Sequence, residues 1–133
     1  MDESLVREIW QRAGNACEYC RIPQASYPAP FEIDHIIARQ HGGDTVLGNL
    51  ALSCLHCNGH KGPNLTGLDP RTRKLTTLFN PRRHKWERHF RWKGPWMVGR
   101  TPIGRVTIHV LAMNDPYLLG LRAALVQEGP FPS

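Results

Sequence analysis

Two Cys-x-x-Cys pairs, Cys17 with Cys20 and Cys54 with Cys57, stand 33 residues apart in a chain of 133. Two intervening residues let both sulfurs of a pair converge on one ion, so four thiolates in two such knuckles match tetrahedral Zn²⁺. A closed Cys₄ site leaves no position for water or substrate. The zinc it predicts is structural, and any catalytic centre lies elsewhere. The competing reading is four unrelated buried or redox thiols. Reduced thiols suit the rest of the chain: Met1-Asp2-Glu3-Ser4 lacks the basic and apolar stretches of a secretory signal, and the longest apolar runs, such as Val110 to Met113, are four residues. The expectation is a cytoplasmic protein that crosses no membrane.

At this length a chain buries roughly two-thirds of its unfolded surface, so a single domain over residues 1–133 needs no disulfides. A hydrophobic content of 41% excludes a disordered composition. Charge is divided unevenly. Residues 1–60 hold four basic and seven acidic side chains, net −3, whereas residues 61–133 hold thirteen basic and four acidic, net +9. Such asymmetry points to a polyanionic partner, DNA first and RNA as the alternative. It concentrates between Arg71 and Arg105, where eleven Lys or Arg accompany one acid, Glu87. Arg82, Arg83, Arg88 and Arg91 are the expected phosphate contacts, supplying affinity that is independent of sequence and falls with salt. Trp86 and Phe90, four apart, read as core, and Trp92 and Trp96 as residues that pack or stack on bases.

Hydrophobic periodicity predicts a first helix through Leu5, Val6, Ile9, Trp10 and Ala13, with Ser4 as N-cap and Gly14 as stop. Ile22 to Pro30 reads as loop and Phe31 to Ile37 as strand. Gly42-Gly43 turns the chain, Asn49 to Ser53 returns as a second strand, and Cys54 to Lys61 forms a short helix ending at Gly62-Pro63. Residues 63–85 show no period and are expected as an irregular connection. Trp96 to Val98 and Val106 to Val110, flanking a turn-rich stretch from Gly99 to Gly104, suggest a hairpin. A last helix follows, with Asp115 as cap, Pro116 at its first position and Gly129 at its end.

The residues between and within the knuckles carry the chemistry: Asp34-His35-Ile36, Gly42-Gly43, Asn49-Leu50 and Cys57-Asn58 with Lys61. Asp34 and His35 are adjacent, so an extended strand turns them to opposite sides unless a strand end brings them together. A carboxylate at Asp34 and an amide oxygen at Asn58 suit Mg²⁺ or Mn²⁺. An imidazole at His35 suits proton abstraction from water near neutral pH. An isolated Asp-His pair reads sooner as a turn residue beside a structural histidine than as a catalytic pair.

In this order and spacing, 15 residues from Asp34 to Asn49 and nine from Asn49 to Asn58, the segment resembles the HNH endonucleases of the ββα-metal (His-Me finger) fold, in their zinc-stapled branch. The resemblance covers about residues 15–62 and implies that His35 is the general base, that Asp34 and Asn58 hold one divalent ion, and that Asn49 braces the loop between the strands. Asn58 stands where many members have His, which favours Mg²⁺ or Mn²⁺ over softer ions. Lys61 is a candidate phosphate contact or a solvated helix end, and His60 a second phosphate candidate. His56 is expected to be exposed, and His41 has no assigned partner. The reading is an α+β fold: a ββα-metal core with a structural Cys₄ zinc and a basic C-terminal extension, about residues 63–133, carrying a hairpin and a helix. The implied activity is hydrolysis of DNA phosphodiester bonds. The alternatives are a non-catalytic zinc-ribbon module that binds nucleic acid, and a structural zinc protein that docks another protein.

Overall fold

The computed structural model describes residues 1–131. Its first helix, α1 (Glu3–Ala13), is capped two residues earlier than expected: Asp2 Oδ1 accepts the backbone N–H of Ser4 at 2.8 Å and also its hydroxyl. A carboxylate at the positive end of a helix dipole is a better cap there than the hydroxyl it bonds. Gly14, at φ 63°, ends the helix as predicted. After the first knuckle and a loop, β1 (Glu32–His35) pairs antiparallel with β2 (Leu50–Ser53), with Asp34 opposite Ala51 and His35 opposite Leu50. Cys54 then caps α2 (Leu55–Lys61), its sulfur accepting the N–H of Cys57. Strand, loop, strand and helix therefore follow the order read from the sequence.

The extension departs from its expected form at two places. Residues 63–85 are not wholly irregular, because β3 (Thr66–Leu68) and β4 (Leu75–Thr77) pair as a short hairpin. The later hairpin lies upstream of its expected position. β5 (Phe90–Lys93) follows the single-turn α3 (Trp86–His89) and pairs with β6 (Trp96–Gly99) across Gly94, which sits at φ 57°. Residues Pro102–Val110, expected to supply the returning strand, form the helix α4. Thr101 accepts from the Gly104 N–H at 3.1 Å and Pro102 occupies the first turn, start signals that outweigh the β-branched run Val106, Thr107, Ile108. Gly104 is a contact rather than a turn: a Cβ there would lie 1.9 Å from the carbonyl oxygen of His89. The last helix, α5 (Pro116–Glu128), begins at its predicted Asp115 cap, whose Oδ1 accepts from Tyr117 N at 2.8 Å.

The core runs unbroken from the knuckles into the extension. All four residues of β2 are buried, α1 lies against that strand, and Phe79, Trp86, Phe90, Met97 and Val106 continue the cluster. The outward-facing backbone of β2 is occupied by side chains and local turns. Leu52 N donates to Glu18 Oε2 at 2.8 Å and Leu52 O accepts Glu18 N at 2.9 Å. Leu50 O accepts Arg12 Nη2 at 2.6 Å and Arg82 Nη1 at 3.2 Å, and Leu50 N bonds back to Leu47 O. Polar ties join extension to core. Trp86 Nε1 donates to Tyr19 O at 2.9 Å, and His56, which is half-buried rather than exposed, donates Nε2 to the carbonyls of Leu111 and Ala112 at 3.1 and 2.9 Å. Among the described residues no helix is long and apolar enough to cross a membrane.

Candidate metal centre and active site

Cys17, Cys20, Cys54 and Cys57 are fully buried and their sulfurs lie within 4.8 Å of one another, Cys20 and Cys54 at 3.8 Å. Four sulfurs at about 2.3 Å from a tetrahedral zinc stand about 3.8 Å apart, so the donor set fits that ion. The knuckle turns supply two amide donors: Cys20 N faces Cys17 Sγ at 3.5 Å and Cys57 N faces Cys54 Sγ at 3.4 Å. Two-residue spacing has thus brought the four cysteines to one point in the core.

From this staple β1 and α2 run side by side, and their facing residues form two pairs. Asp34, only 6% exposed, accepts the Tyr19 hydroxyl at 2.7 Å and forms an ion pair with Lys61 Nζ at 3.1 Å. Burial pushes its carboxyl above the ordinary range, opposed by the charge of Lys61 and the bond from Tyr19. Burial, and then the neighbouring Asp34, push the Tyr19 hydroxyl well up. Lys61 is neither a solvated helix end nor turned to solvent. It is 2% exposed, and its ammonium also donates to Ile36 O at 3.1 Å and His35 O at 3.4 Å. A buried ammonium needs several acceptors, and the end of β1 provides them.

The second pair is Asn58 with Glu32, whose Oε1 accepts Asn58 Nδ2 at 2.9 Å. Glu32 is exposed and belongs to none of the motifs that mark the site in the sequence. The signal that could have found it is the period of a strand, which puts residues two apart on one face, here Glu32 and Asp34. Asp34 and Asn58 therefore engage different partners, Asp34 buried against Tyr19 and Lys61 and Asn58 bonded to the exposed Glu32.

His35, at the end of β1, faces away from Asp34. Its Nε2 lies 2.9 Å from Thr45 Oγ1 in the loop that joins the strands. Asn49 closes that loop: Oδ1 accepts Ile37 N at 2.9 Å, and Nδ2 donates to Ile37 O at 3.0 Å and Asp44 O at 2.9 Å. The chain runs so close here that a Cβ on Gly43 would lie 1.7 Å from Ile37 O and 2.8 Å from the Asn49 amide nitrogen, leaving room for glycine alone. Beside Ile36 and Ile37 opens a cavity of about 230 Å³, lined also by Leu78, Phe79, Asn80 and Arg83.

The four arginines separate into two kinds. Arg82 is half-buried and ion-paired with Glu18, a contact that helps hold β2. Arg83, Arg88 and Arg91 are exposed. Trp86 and Phe90 are core as expected, Trp92 is half-buried 5.5 Å from Trp86, and Trp96 is exposed. His60 is exposed, its Nδ1 donating to His56 O at 2.8 Å.

Comparison with known proteins agrees with this geometry. Residues 17–64 match the family model of the HNH endonuclease. The chain is similar to the Septu protein PtuB of Bacillus thuringiensis, 24% identical over 109 residues, a match that covers 80% of this chain and 40% of that protein. The chain thus spans well under half the length of that relative. No solved structure gives a significant match. The paired strands, the helix behind them and the four clustered cysteines all lie within the segment of this α+β chain, residues 17–64, that matches the HNH endonuclease model.

Proposed function

We propose that the chain is a metal-dependent endonuclease that hydrolyses phosphodiester bonds of DNA, with zinc held by Cys17, Cys20, Cys54 and Cys57 as a structural staple. The observation that carries this reading is the setting of His35. Thr45 Oγ1, 2.9 Å from Nε2, anchors that side of the ring, and in the tautomer that donates Nε2–H to it the ring presents the lone pair of Nδ1, the form a general base needs. Asn49 holds the adjoining backbone, so the imidazole meets its substrate already oriented.

Asp34 and Asn58 are the proposed holders of one Mg²⁺ or Mn²⁺. Their oxygens fit a hard cation, and the Asn58 amide, with its nitrogen turned to Glu32, keeps its oxygen as the acceptor. Lys61 opposes the effect of burial on Asp34 and so favours the charged carboxylate that a cation requires. Such an ion, when bound, supplies charge stabilisation at the phosphate and the leaving 3′ oxygen. His35 takes a proton from the attacking water, and cleavage leaves 5′-phosphate and 3′-hydroxyl ends. Arg83, Arg88 and Arg91 offer exposed charge for the phosphate backbone.

The full satisfaction of Asp34 by Tyr19 and Lys61 favours a second reading, a zinc-ribbon module that binds nucleic acid without cutting it. Plasmid nicking separates the two. His35→Ala should keep fold, zinc and DNA binding and lose nicking by about a hundredfold to ten-thousandfold. Asn58→Ala should recover in part as Mg²⁺ or Mn²⁺ is raised. EDTA should stop the wild type, and Mg²⁺ or Mn²⁺ without zinc should restart it. Absence of divalent-dependent nicking by the wild type, or nicking by His35→Ala at the wild-type rate, would leave the binding module as the better reading.

A further inference from the structure

The cavity at the end of β1 is bounded by the residues that follow His35, by the end of α2 and by the segment between β4 and α3. Ile36 and Ile37 are one and two residues past the proposed general base. Lys61, which also lines the cavity, donates to the carbonyls of His35 and Ile36. The cavity therefore adjoins the proposed active site. Its volume of about 230 Å³ holds about seven waters at liquid density, the bulk of one planar heterocycle. Leu78 and Phe79 line it from the core, whereas Ile37 and Leu65 leave apolar surface uncovered there, at 36% and 41% exposure.

The polar groups of this lining have hydrogen-bonding capacity to spare. His84 Nδ1 accepts the backbone N–H of Asn80 at 2.9 Å, which leaves the proton of the neutral ring on Nε2. Burial, and then Arg83, lower the His84 pKa, so the ring stays neutral and offers Nε2–H as a donor. Asn80 Oδ1 accepts the Arg82 N–H at 2.9 Å, which leaves Nδ2 to give. Among the described residues, Asn80 Nδ2, His84 Nε2, the Asn64 amide and the Arg83 guanidinium have no hydrogen-bond partner. No acidic residue lines the cavity, and the exposed Arg83 gives its rim positive charge. A wholly apolar ligand would leave the donors unpaired, and a cation would meet Arg83. A ring with apolar faces, a hydrogen-bonding edge and a phosphate attached suits all of these groups at once.

We propose that this cavity takes one unpaired nucleobase of the DNA strand that is cut, with Ile37 and Leu65 covering its faces, Asn64, Asn80 and His84 bonding its edge, and Arg83 meeting its phosphate. A base in an intact duplex keeps its faces in the stack and its edge in a pair, and extracting it costs free energy that an unpaired base does not. The favoured substrate is therefore DNA with a base already out of the helix, at a bulge, a junction or a single-stranded stretch. This inference deepens the proposed function and rests on its reading of DNA as the substrate.

The test measures binding by the full, zinc-loaded chain without added Mg²⁺ or Mn²⁺, so that no cleavage intervenes. Three DNAs of one sequence are compared: a perfect duplex, the duplex with one extra unpaired nucleotide, and the same with the base of that nucleotide removed. The wild type should bind the unpaired base about tenfold to a hundredfold more tightly than the abasic form, the range expected of one stacked base. Equal binding of those two would overturn the proposal. Asn64→Leu combined with Thr77→Leu, at two exposed positions of the lining, crowds the cavity and removes one amide, and it should erase the difference. A difference that survives this variant, or that vanishes in Trp96→Ala, would also overturn it. Should the crowded variant fail to fold, 5-iodouracil at the unpaired position of the DNA decides: photo-crosslinking to Phe79 or His84 supports the cavity, and crosslinking elsewhere or nowhere overturns it. Base-dependent binding by a protein that nicks no DNA with Mg²⁺ or Mn²⁺ would keep the cavity and refute the nuclease reading, whereas nicking without base-dependent binding overturns the cavity alone. A wild type that binds none of the three DNAs refutes both.

Discussion

The carboxamide of Asn49 holds both backbone polar groups of Ile37, accepting its N–H at 2.9 Å and donating to its carbonyl at 3.0 Å. One side chain thereby stands in for a pairing strand where β1 has ended, two residues after His35. Asn49→Ala should lower stability by about 1–3 kcal/mol, because the groups it satisfies lose their partner at a half-buried site. Nicking should fall further than stability accounts for, by up to about a hundredfold, since small misplacement of a base is costly. Denaturant unfolding and plasmid nicking on the same preparation measure both. Wild-type nicking by a destabilised Asn49→Ala would show that the loop does not orient His35.

Lys61 and Asp34 make a pH-dependent prediction. Burial raises the Asp34 pKa in the folded state, so its contribution to stability is fully present below the unfolded carboxyl value and is lost as pH rises through the folded one. Lys61 limits that loss by pulling the folded value down. Lys61→Met should therefore cost little in acid and progressively more toward neutrality, reaching about 3–5 kcal/mol as an uncompensated carboxylate is left buried. Unfolding free energies across the acid-to-neutral range test it. A defect of equal size at every pH would mean that Lys61 stabilises by packing alone.

The arginines should divide by experiment as they divide in space. Neutralising Arg83, Arg88 and Arg91 should flatten the slope of log K against log salt for DNA binding by about one unit per lost phosphate contact. Arg82→Gln should leave that slope unchanged and lower stability, since it strips Glu18 of its ion-pair partner next to β2. A salt slope that responds to Arg82 and not to the other three would place the binding surface on the knuckle side of the molecule.

The ββα core was legible because its constraints are local: two-residue knuckle spacing, glycines at the turn and alternation along β1 each fix a position within a few residues. The extension was less so. Val106 to Val110 carries a strand-like composition, and only the cap at Thr101 and the proline after it reveal α4. Net charge marked the right stretch but could not say which cations were already paired, since Arg82 finds Glu18, and Arg105 finds Asp69 at 2.8 Å, across long separations in sequence. Lys61, paired with the buried Asp34, illustrates the same point. A charged residue in a helix reads as solvated until the tertiary structure supplies an interior anion.

The side chains along β2 also govern how copies of this chain can meet. Every outward N–H and carbonyl of Leu50 and Leu52 is already engaged, by Glu18, Arg12, Arg82 and Leu47. A strand edge left bare is a template for aggregation and for intermolecular sheet growth. Here an incoming strand would have to displace a carboxylate and two guanidinium groups before forming its first rung. The sheet therefore ends at two strands on this side, and self-association by β-augmentation is closed off there by the same contacts that fasten the first knuckle to the core.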